Sequence, residues 1–108
     1  MDEQEFRKHA DHALTTLNRL LIAAADDFGF EVDLNSGALT VEFENPPARF
    51  VVSPNAPVRQ IWVSALSKSF KLDWDEVEAA FVLPDSKETL KALMERVIGQ
   101  QLKEDVSL

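Results

Sequence analysis

The hydrophobic period of the chain changes twice along its length, and these changes constrain the fold more than any other feature. From Asp2 to about Phe28, apolar residues recur every three or four positions, which predicts one amphipathic helix. Asp2 as the N-cap with Glu5 three residues later predicts a capping box, and Gly29 is a natural residue to end the helix. We therefore expect the chain to begin with a long helix that has one apolar face.

Beyond this helix the period becomes two, which is typical of strands with one buried and one solvated face. Residues 30–34 and 39–43 alternate in this way around the turn sequence Asn35-Ser36-Gly37, which predicts an antiparallel hairpin. Further apolar segments predict four more strands, at 49–53, 60–64, 70–74 and 77–83. The last of these has no strict period, so a helix remains an alternative there.

A second helical period closes the chain. Pro84 ends the sheet, and Asp85 is placed to cap the new helix with Glu88 at its third position. Two terminal helices around about six strands predict an α+β, two-layer sandwich, in the order α-β-β-β-β-β-β-α, with both helices on one face of an antiparallel sheet. At 108 residues, the chain fits a single domain, 1–108.

The strand at 60–64 indicates a binding surface. Its alternation places Ile61 and Val63 on the buried face, and Gln60, Trp62 and Ser64 on the solvated face. The opposite register would expose two aliphatic side chains to bury one indole, and at about 25 cal/mol per Å² that exchange gains little or nothing. A large aromatic side chain left in water marks a site of interaction. By contrast, Trp74 follows the inward residues of its own strand and is expected to be packed.

Composition excludes several function classes. The formal net charge of −8 opposes binding to nucleic acid and to anionic membranes, and favours cations or a basic protein partner. The absence of cysteine excludes disulfides and thiolate chemistry, and fits a reducing cytoplasm. We expect no secretory signal, because the amino terminus is acidic, and no membrane span, because the longest apolar run, Leu20 to Ala25, is too short.

No catalytic constellation is evident either. The three glycines are scattered and are expected to serve caps and turns, so no phosphate-binding loop is present. Both histidines, His9 and His12, belong to the first helix, where they are not placed to activate a serine. We therefore expect that the protein is not an enzyme.

The motif Pro-x-x-Gln-Ile-Trp-Val at 57–63, which follows a valine-rich strand, resembles the frataxin family. The segment Leu39-Thr40-Val41-Glu42-Phe43-Glu44-Asn45, Asp73 and the order of elements extend the resemblance to bacterial frataxins over essentially the whole chain. It implies a small acidic protein of iron–sulfur cluster assembly that binds ferrous or ferric iron weakly through surface carboxylates. It further implies docking on the cysteine desulfurase and its scaffold protein, as an iron chaperone or a regulator. It leaves weak oxidation of ferrous iron open, although we expect no enzyme. We expect a monomer, with an iron-dependent oligomer as an alternative.

The resemblance also implies where these sites lie. The partner surface would comprise exposed positions on the central strands: Ser53, Asn55, Gln60, Trp62 and Ser64. The carboxylates available for iron lie at the exit of the first helix and on the first strand, with one further back along the helix: Asp26, Asp27, Glu31, Asp33 and Asp11. Iron takes oxygen ligands, and two carboxylates two residues apart on a strand share one face roughly 6 to 7 Å apart.

Two alternatives compete with this iron site. The solvent face of the first helix carries Lys8, His12 and Arg19, with Ile22 where a frataxin would have a carboxylate. In the first alternative, the acidic residues are a solvated edge that prevents aggregation and do not bind iron. The protein would then be a metal-independent interaction module that uses the surface around Trp62. The second alternative is a metal site at the two histidines with Asp11 as third ligand, but ordinary surface histidines are the simpler expectation.

Overall fold

Six antiparallel strands, paired in the order in which they follow along the chain, form one sheet. The computed structural model describes all 108 residues. Its elements are α1 (Glu3–Phe28), β1 (Phe30–Asn35), β2 (Ala38–Glu44), β3 (Pro47–Asn55), a 3₁₀ turn (Ala56–Val58), β4 (Gln60–Ala65), β5 (Lys68–Asp75), β6 (Ala80–Val82) and α2 (Leu90–Leu102). The predicted α+β architecture with two terminal helices is confirmed.

Both helices cover one face of this sheet, here called the back face, and the core lies between the two layers. α1 contributes Phe6 and Leu21, and α2 contributes Leu93 and Ile98, all fully buried. The strands meet them with their inward alternate residues, which include the buried rings of Phe50 and Phe81. Neither helix is long and apolar enough to cross a membrane. The opposite face, here called the front face, carries the outward alternate residues and is left to solvent.

The predicted ends of α1 are confirmed. The Asp2 carboxylate accepts a hydrogen bond from the Glu5 N–H at 2.8 Å, which satisfies one of the free donors of the first turn. Gly29 adopts a left-handed conformation with φ of 71°, and its N–H donates to the carbonyl oxygen of Ala25 at 2.8 Å. No bond returns from the Asp2 N–H to the Glu5 carboxylate, so only half of the predicted capping box forms.

The sixth strand is much shorter than predicted. It covers Ala80–Val82 only, because the residues before it form a turn around Asp75. The Asp75 carboxylate accepts hydrogen bonds from the N–H groups of Val77 and Glu78, at 2.9 and 3.0 Å, and it also contacts the Lys87 ammonium group at 3.2 Å. These bonds hold Val77 out in solvent, where it is 93% exposed. The irregular period at 77–83 therefore reflected a turn, and the helical alternative is wrong.

The predicted start of α2 is also wrong. Thr89, not Asp85, is the N-cap, and its hydroxyl accepts a hydrogen bond from the Ala92 N–H at 3.2 Å. Residues 84–86 form a turn instead, and Lys87 after it has a φ of 62° that no right-handed helix tolerates. The Glu88 carboxylate binds Arg96 at 2.9 Å and does not reach back to a cap.

The sequence predicted that Gly99 would serve a cap or a turn, but this residue lies inside α2. Its missing side chain lets the chain after the helix pass closely, since a Cβ atom there would lie 3.0 Å from the carbonyl oxygen of Glu104. The tail that follows is tied to the helix, because the Leu108 N–H donates to the Glu95 carboxylate at 2.7 Å.

Candidate functional site

The five residues predicted for partner binding lie together on the front face of the sheet. Ser53 on β3 is paired directly with Trp62 on β4, and Asn55 is paired with Gln60 on the same two strands. Ser64 follows two residues after Trp62, and therefore points to the same side. The pairing of β3 with β4 thus gathers residues that are up to 11 positions apart in the sequence.

Trp62 is exposed, as predicted. Its side chain is 38% accessible, whereas the neighbouring Ile61 and Val63 are at 0% and 1%. The alternation of β4 therefore has the predicted register. The free energy of burying the two aliphatic side chains holds the indole on the solvent side.

Hydrogen bonds fix the orientation of this exposed indole. The Trp62 Nε1–H donates to Gln60 Oε1 at 3.0 Å, and Gln60 Nε2 donates in turn to the carboxylate of Asp73 at 3.0 Å. Asp73 lies on β5, paired directly with Gln60, so the bonds bridge two strands. Because one partner is a donor and the other an acceptor, only one orientation of the Gln60 amide satisfies both.

A cation completes the arrangement. The Lys71 ammonium nitrogen lies 4.9 Å from the centre of the Trp62 ring, in the geometry of a cation–π contact. Lys71 is the β5 residue paired with Trp62. Sequence reasoning did not assign it to the site, although the register of the predicted β4–β5 hairpin would have placed it there. Trp62, Gln60, Asp73 and Lys71, here called the Trp62 cluster, form a pre-oriented aromatic patch flanked by both signs of charge.

The acidic margin of the front face lies at the other end of the sheet, on β1 and β2. Glu31 is paired with Glu42 on the neighbouring strand, and Glu42 is paired in turn with Arg49 on β3. Arg49 Nε lies 3.9 Å from Glu42 Oε1, and both side chains are more than half exposed. A shallow groove of about 160 Å³ is lined by these three residues and Asp33. The carboxylates are thus exposed and partly neutralised.

The structure brings only some of the predicted iron ligands together. Asp26 lines a second groove, of about 280 Å³, with Glu31, Glu42 and Glu44. Asp27 lines neither groove. Asp11 lies on α1 about 22 Å from Asp26, by the helical rise of 1.5 Å per residue.

No three His, Cys, Asp or Glu side chains in the structure converge closely enough to hold a metal ion. The acidic residues therefore fit loose attraction of hydrated cations by accumulated charge, not a shaped coordination shell. Glu42 and Glu44 belong to this acidic margin, although sequence reasoning did not include them. Their outward alternation on β2 was the available signal.

The two histidines lie on the same side of α1, where both line a cavity against β6 and α2. His9 is half buried and stacks on the indole of Trp74, with ring centres 3.9 Å apart and planes inclined by 20°. Trp74 also contacts the edge of Phe81 at 5.2 Å, so its predicted packing is confirmed. His12 is exposed, and no third ligand joins the histidines, because Asp11 lines a different cavity on the side of β1 and β3.

Comparison with known proteins agrees with this architecture. The family model described as "Frataxin-like domain" matches residues 1–104, almost the whole chain. The chain belongs to the frataxin family. The resemblance inferred from the motif at 57–63 is therefore confirmed, and the front face described above is that of a frataxin sheet.

Two named relatives support the same conclusion, and a solved structure shows the same fold. The chain is 37% identical over 108 residues to the "Iron-sulfur cluster assembly protein CyaY" of Pseudomonas aeruginosa, covering 98% of this chain and 95% of the relative. A protein of the same name from Pseudomonas paraeruginosa is 41% identical over 85 residues, covering 77% of this chain and 78% of that one. The solved structure of a frataxin from Psychromonas ingrahamii superimposes with a TM-score of 0.75 at 22% identity, covering 99% and 97% of the two chains.

Proposed function

We propose that this chain acts in iron–sulfur cluster assembly by docking on the cysteine desulfurase and scaffold complex through its front face. Membership of the frataxin family, and relatives named for iron–sulfur cluster assembly, support the general role. The observation that carries the docking is Trp62, which is exposed yet held by a hydrogen bond and a cation. In this proposal the protein is a cytoplasmic monomer that either donates iron to the complex or regulates it.

The Trp62 cluster has the properties of an interaction hot spot. Tryptophan is enriched among the few residues that dominate binding energy, particularly where a rigid ring meets a pocket on the partner. Because the indole is already oriented by Gln60, docking costs little additional side-chain entropy. The acidic margin would add long-range attraction to a basic partner surface, which raises the rate of association more than the final affinity.

The experiment that tests the docking is a binding measurement between the purified protein and its cognate cysteine desulfurase. Trp62→Ala is expected to weaken binding by about 30-fold, the loss typical of a hot-spot residue. Ile22→Ala is the matched control, because Ile22 is an exposed apolar residue, 56% accessible, on the helix layer. Thermal unfolding verifies that both variants fold. If Trp62→Ala binds as tightly as the parent, the front face is not the docking surface.

Iron is the substrate in this proposal, attracted weakly by Asp26, Asp27, Glu31 and Asp33. Ferrous iron titrated into ¹⁵N-labelled protein is expected to broaden amide signals at residues 26–33 before any others. Asp11 is the fifth carboxylate of the proposed set, and its distance from the rest predicts that its signal broadens separately. We propose no enzymatic reaction, so ferrous iron should oxidise no faster with the protein than in buffer.

A metal-independent interaction module is the second candidate function. The contact between Arg49 and Glu42 favours it, since a cation of the protein itself already occupies part of the acidic margin. This candidate predicts uniform or absent broadening with iron, together with unchanged desulfurase binding in the presence of a chelator. Localised broadening at residues 26–33 would reject it.

A further inference from the structure

A cavity on the helix side of the molecule differs chemically from the rest of the surface. It lies between α1, β6 and the first turn of α2, has a volume of about 230 Å³, and is lined mainly by apolar side chains that include Leu17, Leu20, Phe81 and Leu90. An apolar cavity of about 150 Å³ is already large enough to take up benzene. The space here therefore suits a ligand with one or two rings.

The charge of this lining is opposite to that of the chain. All ionisable side chains in it are basic, namely His9, His12 and Lys91, and no aspartate or glutamate contributes. This is unexpected in a protein with 19 acidic residues against 11 lysines and arginines and two histidines. Lys91 forms no ion pair, and the nearby Glu88 is bound to Arg96. The cavity is thus a place where the protein favours an anion.

One residue of the lining also carries an unpaired hydrogen-bond donor. The Nε1–H of Trp74 is buried and has no partner, although Trp74 lines the cavity. Leaving a buried donor unpaired is costly, so native structures seldom do so without a reason. The ring itself is fixed between His9 and Phe81, so the donor cannot easily turn away.

We propose that this cavity binds a small amphipathic carboxylate. Its apolar body of one or two rings would lie against Leu17, Leu20 and Phe81, and its carboxylate would pair with the Lys91 ammonium group, close to the indole of Trp74. The site lies on the helix layer, whereas the Trp62 cluster lies on the front face. It is therefore independent of the docking proposed above.

The test is an NMR titration with three probes of one shape, 2-naphthoate, 2-naphthylmethanol and 2-naphthylmethylammonium. The naphthoate should bind with the highest affinity and should shift the indole N–H signal of Trp74 while leaving that of Trp62 in place. Lys91→Gln should weaken the naphthoate by about fivefold, the effect of removing one nearby charge at the surface, and should leave the alcohol unaffected. Lys68→Gln, an exposed lysine in the β4–β5 hairpin, is the matched control.

Three results would overturn the proposal. The first is the absence of a saturable shift of the Trp74 signal at millimolar naphthoate. The second is equal affinity for the three probes, which would show an apolar surface without preference for anions. The third is equal naphthoate affinity in Lys91→Gln and the parent.

Discussion

Replacing Gln60 by glutamate tests the central feature of the front face, the hydrogen bonds that hold Trp62. Gln60→Glu keeps the size of the side chain and keeps an acceptor for the Trp62 Nε1–H, which lies 3.0 Å from the present amide oxygen. It replaces the amide donor, 3.0 Å from the Asp73 carboxylate, with an oxygen that repels it. The substitution therefore changes only the contact between residue 60 and Asp73, from attraction to repulsion.

The expected loss of stability follows from two contributions. Removing the hydrogen bond costs about 1 kcal/mol. Two carboxylates about 3 Å apart repel each other by about 1.4 kcal/mol even at the dielectric constant of water, and the half-buried position of both groups does not reduce this. We expect Gln60→Glu to lower the free energy of unfolding by about 2 kcal/mol at pH 7, or roughly 8 to 9 °C in Tm for a chain of this length.

The pH dependence gives the prediction its sharpest form. Beside Asp73, the introduced carboxyl group has its pKa raised in the folded state, because ionisation of both groups is unfavourable. The penalty is therefore complete above this raised pKa and disappears as the pH falls through the ordinary value of about 4.3. Urea unfolding of parent and variant at pH 7 and at pH 4 should show the difference between them closing.

Ser64→Glu is the matched control, since it adds the same charge to β4, on the front face, opposite Val51 and Ser69 and away from Asp73. It should cost much less than Gln60→Glu and show little dependence on pH. Equal losses in the two variants, or a Gln60→Glu penalty that persists undiminished at pH 4, would refute the hydrogen-bonded arrangement described here.

Three further predictions concern other parts of the molecule. In Asp75→Asn, the turn before β6 should lose stability at neutral pH, because the Glu78 N–H and then the Lys87 ammonium group hold the pKa of the Asp75 carboxyl below its ordinary 3.8. This stabilisation is complete above that value and is lost as the pH falls through the lower folded-state pKa, so urea unfolding of the parent and variant should converge in acid. Arg49→Gln should strengthen the binding of ferrous iron at the acidic margin several-fold, measured by amide broadening at Glu31 and Asp33, and unchanged broadening would contradict the neutralising role of Arg49. Gln101→Leu should cost about 1 to 2 kcal/mol in urea unfolding, because the Pro46 carbonyl loses its donor at 2.9 Å; Gln100→Leu, at an exposed neighbouring position, should cost far less.

Periodicity alone predicted most of the fold, because each helix and each of the first five strands buries one face. It failed between Glu76 and Thr89, where individual side chains decide the backbone. Asp75 folds the chain into a turn by binding two N–H groups, and a left-handed Lys87 delays the second helix. Such contacts carry no repeating signal. They depend on a carboxylate and a lysine that are 12 residues apart in the sequence.

The candidate sites were predictable to different degrees for a related reason. Residues that share a strand, such as Gln60 and Trp62, were placed together by alternation alone. To place Lys71 beside Trp62, the register of two paired strands must be known. To place the residues of the acidic margin together, the register of three strands must be known. The cavity beside Trp74 involves two helices and two strands, whose relative positions no local pattern encodes.

The Trp62 cluster also explains how an exposed indole is compatible with a stable sheet. A free tryptophan on a flat face would present its whole ring to water and invite aggregation. Here Lys71 lies over the ring and Gln60 occupies its N–H, so that 38% of the side chain is left accessible. A partner that displaces Lys71 with its own cation, or offers an acceptor stronger than Gln60, would gain contact with a ring that is already in place. The same neighbours that cover part of the ring in the free protein would thus define what a partner must supply.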